Sequence, residues 1–334
     1  MPQRFETRGT HGLHHITAIA GPAQENLDFY AGVLGMKLVK KSVNQDDPGT
    51  YHLFYADAEG RPGTDLTFFP WAQMAPSRRG HGLATEVELG VAPGSLAYWS
   101  ERLERYGTPV GLPQRRFGES VLPFVDPHGL EVALVESASA AARPFTPWEG
   151  GPVPVERQIR GLDGARLWLR QLAATEALLA APLGLARLAA EDGWVRWGIP
   201  DPAAPGRALS GTRLDLAERA DTQRGMWGTG AIHHLAWRVD DEEHELALRA
   251  AVAESGPHPT PVIDRFWFKS VYFKEPGGVL FELATDGPGF AVDEAPERLG
   301  ETLVLPPWLE PQRQAIAAAL PNLNPPPTAL EGAS

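Results

Sequence analysis

The chain contains no cysteine among its 334 residues. That absence removes disulfides, thiolate nucleophiles and thiolate-ligated zinc, and it leaves histidine and carboxylate as the strong metal ligands. Long apolar runs are missing as well: nowhere do about 18 consecutive apolar residues occur, the length a membrane-spanning helix needs. The opening stretch Met1-Pro2-Gln3-Arg4-Phe5-Glu6-Thr7-Arg8 lacks the apolar core of a secretory signal, so a cytoplasmic protein is expected. Positive charge is in deficit. Thirty Lys and Arg against 42 Asp and Glu give a formal charge of -12, which argues against nucleic acid or an anionic membrane as partner and for a small molecule.

The apolar content of 43% and charged content of 22% are those of a globular chain rather than a disordered one. The length suits two domains of common size. Four stretches share one plan of strand, helix and three strands. In the first, a strand over 13–19 precedes a helix over 23–34 with Leu27, Tyr30, Ala31 and Leu34 on one face; strands follow at 37–43, 50–56 and 65–69. The second has a strand at 84–91, a helix capped at Ser95, and strands at 118–124 and 130–135 around the turn Asp126-Pro127-His128-Gly129. After a Ser-, Ala- and Pro-rich linker, a fainter third unit has a strand at 165–169, a helix at 175–181 and strands at 194–197 and 212–216. The fourth has a strand at 233–239, a helix at 241–255, and strands at 270–273 and 279–283. A proline-dense tail, 306–327, carries one short helical pattern at 310–320.

The chemistry lies in two His-His dipeptides, Leu13-His14-His15-Ile16-Thr17 and Ile232-His233-His234-Leu235, and in Glu282 on the last strand of the fourth unit. One histidine from each doublet plus this carboxylate is a donor set that Fe(II) accepts, and three ligands on one face leave coordination positions open. Because strand residues alternate sides, one imidazole of each doublet is expected to point inward and its neighbour away or along the rim. When first strands are aligned, His15 matches His234, and the second and third units offer about Thr85 and Gly164. When last strands are aligned, Glu282 matches about Phe68, Ala133 and Asp215. Only the outer units supply a complete set, so one site per chain is expected. The remaining histidines, His11, His52, His81, His128, His244 and His258, read as hydrogen-bonded structural residues. Trp99, Trp168, Trp227 and Trp237 read as core and pocket wall.

Phe29-Tyr30-Ala31-Gly32-Val33-Leu34-Gly35-Met36, Asp126-Pro127-His128-Gly129 and Glu275-Pro276-Gly277-Gly278 resemble hallmarks of the vicinal oxygen chelate superfamily. That superfamily includes glyoxalase I, bleomycin and fosfomycin resistance proteins and extradiol dioxygenases. The two doublets, with Tyr51-His52-Leu53-Phe54-Tyr55-Ala56-Asp57, resemble its hydroquinone ring-cleaving dioxygenase branch over roughly residues 10–305. The resemblance implies an α+β fold of four βαβββ modules paired into two vicinal oxygen chelate domains with curved mixed sheets. The expected boundaries are 10–140 for the first domain, 141–155 for a linker, 156–290 for the second domain and 291–334 for the tail. It implies an extradiol-type enzyme that opens a para-diol ring with O2, using Fe(II) or, as the alternative, Mn(II), and it is compatible with a homo-oligomer.

By the same resemblance His15, His234 and Glu282 are the metal ligands, and His14, Thr17, His233 and Arg265 lie near the site. Tyr272 then faces the substrate and hydrogen-bonds or exchanges protons with it, while Arg265 and His233 stabilise negative charge. On the residues alone, Tyr272 reads equally as a half-buried aromatic and Arg265 as a solvated loop charge. Two rivals share the scaffold. A glyoxalase-like lyase or isomerase would use Ni(II) or Zn(II) with a second carboxylate, where Phe68 is expected to stand; a metal-free module binding an aromatic drug would need no ligand set.

Overall fold

The computed structural model describes residues 8–325. Met1 to Thr7 of the opening stretch and the last two residues of the 306–327 tail lie outside the described residues. Each of the four units folds as strand, helix and three strands. Unit one comprises β1 (Leu13–Ala20), α1 (Ala23–Leu27), β2 (Lys37–Asn44), β3 (Asp47–Ala56) and β4 (Asp65–Pro70). Unit two comprises β5 (Leu83–Val91), α2 (Leu96–Arg105), β6 (Gln114–Arg116), β7 (Glu119–Val125) and β8 (Glu131–Glu136). A short helix, α3 (Ala138–Ala142), leads into the linker. Unit three comprises β9 (Gly161–Leu169), α4 (Ala173–Ala180), β10 (Ala186–Glu191), β11 (Trp194–Gly198) and β12 (Arg213–Glu218). Unit four comprises β13 (Ile232–Val239), α5 (Glu242–Glu254), β14 (Ile263–Asp264), β15 (Lys269–Lys274) and β16 (Leu280–Thr285). The tail carries α6 (Arg313–Ala319), within the expected helical pattern.

The strands form two curved mixed sheets of eight. One runs β14-β15-β16-β13-β1-β4-β3-β2, so units one and four share a sheet; the other runs β10-β11-β12-β9-β5-β8-β7-β6 and joins units two and three. Each sheet therefore takes one unit from each half of the chain. The crossovers between sheets lie side by side, with bridges Pro76 to Thr229, Arg78 to Met226 and His81 to Arg224. In each sheet the two first strands meet antiparallel at the centre, and each is parallel to the last strand of its own unit. All eight residues of β1 are buried, so it shows no alternation of exposure: both faces of this central strand are covered.

Local departures from the sequence reading have local causes. The first helix changes after Leu27 to a wider turn, Asp28–Val33, in which Leu34 N–H bonds to the Phe29 carbonyl. Arg102 of α2 donates to the Gly32 and Val33 carbonyls at 2.9 and 2.7 Å, satisfying groups at the end of that turn. Ser95 stands at the start of α2, but its backbone is already helical and its hydroxyl caps nothing. Glu136 accepts from Leu96 N–H instead. Trp99 and Trp237 are core; Trp168 instead lies beneath the Arg79 guanidinium, and Trp227 is exposed.

Register revises two of the expected equivalences. Ala236 pairs with Glu282 and Thr17 with Thr67, so the counterpart of Glu282 in unit one is Thr67, not Phe68. In the inner sheet Glu86 pairs with Arg166 as His15 does with Ala236, so Glu86 rather than Thr85 stands in the place of His15; Gly164 and Asp215 hold as expected. Around these inner positions the protein buries a charge network. Arg196 grips Asp215 through two bonds of 2.8 and 2.9 Å and donates to Glu119, and Arg213 bonds Glu88, Glu119 and Asp163. Arg116 adds bonds to Glu86 and Glu88. Guanidinium groups fill the place that, in the outer sheet, is left to imidazoles.

Candidate metal centre

The register of β1, β13 and β16 builds the site. His15 and His234 sit diagonally across the antiparallel pair, and Glu282 stands beside Ala236 on the next strand, so all three side chains reach one face. His234 Nε2 lies 2.9 Å and His15 Nε2 3.3 Å from Glu282 Oε2, and the two imidazole nitrogens are 3.1 Å apart. All three residues are buried. Donor atoms about 2.1 Å from a cation and at right angles to one another lie about 3.0 Å apart, so this triangle fits one face of an octahedron. Glu282 Oε2 is buried without a hydrogen bond among the described residues, while Oε1 accepts from Ser270 Oγ at 2.5 Å. Burial alone would raise the carboxyl; His15 and His234 outweigh it and hold Glu282 well below the ordinary range. A buried anionic oxygen facing two imidazole nitrogens fits a cation.

The neighbour in each doublet does not point away. His14 Nδ1 is 3.0 Å from His15 Nδ1, and His233 Nδ1 is 2.8 Å from His234 Nδ1. Burial first, and then the adjacent imidazole, lower His14 and His233 to about 3, so both are neutral and can accept a hydrogen bond. A ligand imidazole that donates from Nδ1 keeps Nε2 bare for a metal, which gives both members of each doublet a function.

The recess in front of the cluster is walled by Phe54, Phe69, Trp267 and Phe268. Tyr272 lies opposite Glu282 on β15, its ring edge-on to His234 at 5.7 Å. Burial, then Glu282, raises its hydroxyl above the ordinary phenol range against the opposing pull of Arg265, so it is a proton donor at neutral pH. Arg265 reaches over the Tyr272 ring at 5.5 Å and is anchored by Asp46 at 3.0 Å. Phe266, next in sequence, adopts φ +75°, a backbone turn held by its N–H bond to Asp264. His233 is packed against Trp227 in a near-parallel stack at 4.5 Å, with Phe69 edge-on at 5.5 Å.

The structure thus gathers His14, His15, His233, His234, Arg265, Tyr272 and Glu282 at one place. It adds His52, which the sequence alone presents as a structural histidine but which lines the same recess. The signal was present in the sequence: His52 and Phe54 stand two apart on β3 and so share a face. A second grouping, His11, Asp240 and His244, is less apt for a metal, because His244 already accepts from Asp240 N–H and pairs with the Arg8 carbonyl. Among the described residues no helix is long and apolar enough to cross a membrane.

Paired βαβββ units around a cluster of two histidines and a carboxylate define a protein of vicinal oxygen chelate architecture with a candidate metal centre. Residues 12–134 match the Glyoxalase/Bleomycin resistance protein/Dioxygenase superfamily. The chain is 43% identical over 311 residues to MhqO of Bacillus subtilis (strain 168), provisionally named a ring-cleaving dioxygenase, covering 93% of this chain and 96% of that protein. It is 32% identical over 318 residues to the chlorohydroquinone/hydroquinone 1,2-dioxygenase of Sphingobium indicum, covering 93% and 94%. A crystal structure of a provisionally named dioxygenase from Bacillus subtilis superposes with a TM-score of 0.87 at 42% identity, covering 95% of this chain and 99% of the other. The chain belongs to the ring-cleaving dioxygenases of this superfamily.

Proposed function

We propose that the protein opens the ring of a hydroquinone-type para-diol with O2, placing both oxygen atoms in the product. The cluster of His15, His234 and Glu282 carries this reading, because three buried donors on one face leave room for both reactants. A divalent cation held there, Fe(II) in this reading with Mn(II) the alternative, supplies Lewis acidity toward a diol hydroxyl and an electron path from ring to O2. The aromatic walls hold the ring and exclude water. Arg265 offers positive charge to a phenolate or to oxygen anion developing during cleavage, and Tyr272 offers a hydrogen bond to the reacting oxygens. His14 and His233 fix the tautomer and plane of the ligand imidazoles, and His233 also stands where it can meet developing charge. In this reading one oxygen of the diol binds at the cluster and the ring opens next to a hydroxyl-bearing carbon, in the extradiol manner. Thr67 and not a carboxylate takes the place in unit one that Glu282 takes in unit four, which favours this chemistry over a glyoxalase-like isomerisation.

The test is oxygen uptake by protein purified anaerobically with Fe(II), offered hydroquinone, methylhydroquinone, chlorohydroquinones and catechol. Uptake with the para-diols is expected, and uptake with catechol alone overturns the substrate class. Glu282→Ala should lose bound iron, whereas Tyr272→Phe should keep it and slow turnover by roughly 100-fold, the scale of general acid–base contributions. Full iron retention in Glu282→Ala would refute the ligand assignment.

A further inference from the structure

The recess contains one titratable side chain that the proposed reaction leaves idle. His52 on β3, Thr67 on β4 and Thr17 on β1 occupy three adjacent strands, and their polar ends form an unbroken hydrogen-bonded row. His52 Nε2 lies 2.9 Å from Thr67 Oγ1, Thr67 Oγ1 lies 2.7 Å from Thr17 Oγ1, and Thr17 Oγ1 lies 3.0 Å from His234 Nε2. The row crosses the sheet from His52, on the wall of the recess, to the atom through which His234 faces the cluster. We propose that it is a proton relay, carrying the proton shed by a diol hydroxyl out to solvent and returning one during ring opening. The role assigned to the diol rests on the dioxygenase reading above.

Both hydroxyls are fully buried, and a hydroxyl can donate or accept, so the row can point either way. Once a cation engages His234 Nε2, that nitrogen no longer pairs with Thr17, and the threonine is free to take a proton from the entering substrate. The His52 ring lies between Phe54 at 3.8 Å and Phe69 at 4.4 Å, which fixes its plane. Its Nδ1 makes no hydrogen bond among the described residues, while the ring remains half-buried in the recess. Burial, and then the charges of His15, His234 and Arg265, keep the imidazole well below its ordinary pKa. It therefore works as a neutral ring that takes a proton on one nitrogen and gives one up from the other.

The step balances without redox change. The diol O–H bond breaks and its proton joins Thr17, whose own proton passes to Thr67. The Thr67 proton passes to His52 Nε2, and the Nδ1 proton leaves to water. The row is then reversed and poised to deliver one proton inward, which the product needs, because a diol and O2 together contain every atom of the ring-opened acid. One traverse out and one back restore the starting tautomer.

The experiment is anaerobic stopped-flow mixing of Zn(II)-loaded protein with methylhydroquinone in weak buffer containing a pH indicator, with ligand binding followed separately. At diol concentrations that saturate each protein, His52→Ala and Thr67→Val should each slow proton release at least tenfold relative to diol binding in the same variant, while zinc content stays within twofold. The double variant should be no slower than either single variant. Imidazole at millimolar concentration should rescue His52→Ala alone, and Thr67→Ser should behave as wild type. Proton release at the wild-type rate in both single variants overturns the relay. A wild-type protein that binds no para-diol refutes the dioxygenase reading instead. Nitrogen-15 spectra of the metal-free protein then decide the relay: His52 should be neutral at pH 7 in exchanging tautomers, with the balance shifted by Thr67→Val. A cationic ring, or one tautomer indifferent to that substitution, overturns it.

Discussion

At the residue scale, the doublets owe their function to a hydrogen bond that alternation along a strand does not reveal. His14 and His233 turn back onto the Nδ1 atoms of His15 and His234, so each pair is one ligand and its orienting partner. Glu245, on α5, shows a different burial problem. Both carboxylate oxygens are buried and unpartnered among the described residues, and burial, then Glu282 and Glu242, raises the group from 4.5 to about 8. The folded chain holds this proton where an unfolded glutamic acid has released it, so the folded state binds more protons between pH 4.5 and about 8. The contribution to stability is complete below 4.5 and is lost as pH rises through about 8. In metal-free protein, Glu245→Gln should therefore gain on wild type as pH rises, by roughly 1–3 kcal/mol between pH 5 and 8.5 in urea unfolding. A gap between the two proteins that stays constant with pH would count against this account.

At the scale of elements, the periodicity of the sequence marked the four helices and the central strands, and it missed β6, β10 and β14. These are three of the four sheet edges, and β6 and β14 have only three and two residues. A short edge strand is defined by its hairpin neighbour rather than by its own apolar pattern. Gly164 on β9 shows how one element excludes a second metal site. It is the register counterpart of His234, and a Cβ there would stand 2.8 Å from the Arg213 carbonyl oxygen and collide with the Arg213 side chain. Gly164→Ala should destabilise the protein by roughly 3 kcal/mol, the upper end of overpacking costs, read as a lower urea midpoint at unchanged slope. An unchanged midpoint would mean that the arginine network has slack the structure does not show.

At the scale of the whole molecule, the two ends of the chain are joined in one sheet, and the ligand set spans that join: His15 comes from unit one, His234 and Glu282 from unit four. A cation bound there stabilises the folded arrangement, since an unfolded chain holds these donors far apart. At 100 times its dissociation constant the gain is about 2.7 kcal/mol, or about 4 °C in Tm for a chain of this size. Thermal scans with and without Zn(II) should show that rise in wild type, and Glu282→Ala should abolish it. An equal rise in the variant would place the metal elsewhere.

The sequence by itself determined the repeated unit, the acidic balance, the two imidazole doublets and the carboxylate on the last strand, because local periodicity and residue chemistry are carried in short stretches. Tertiary structure decided which units share a sheet, that Thr67 rather than Phe68 is the counterpart of Glu282 in unit one, and that His52 joins the recess. These depend on strand order and register, which are set by packing between segments far apart in the chain, and a slip of one residue turns every side chain to the other face.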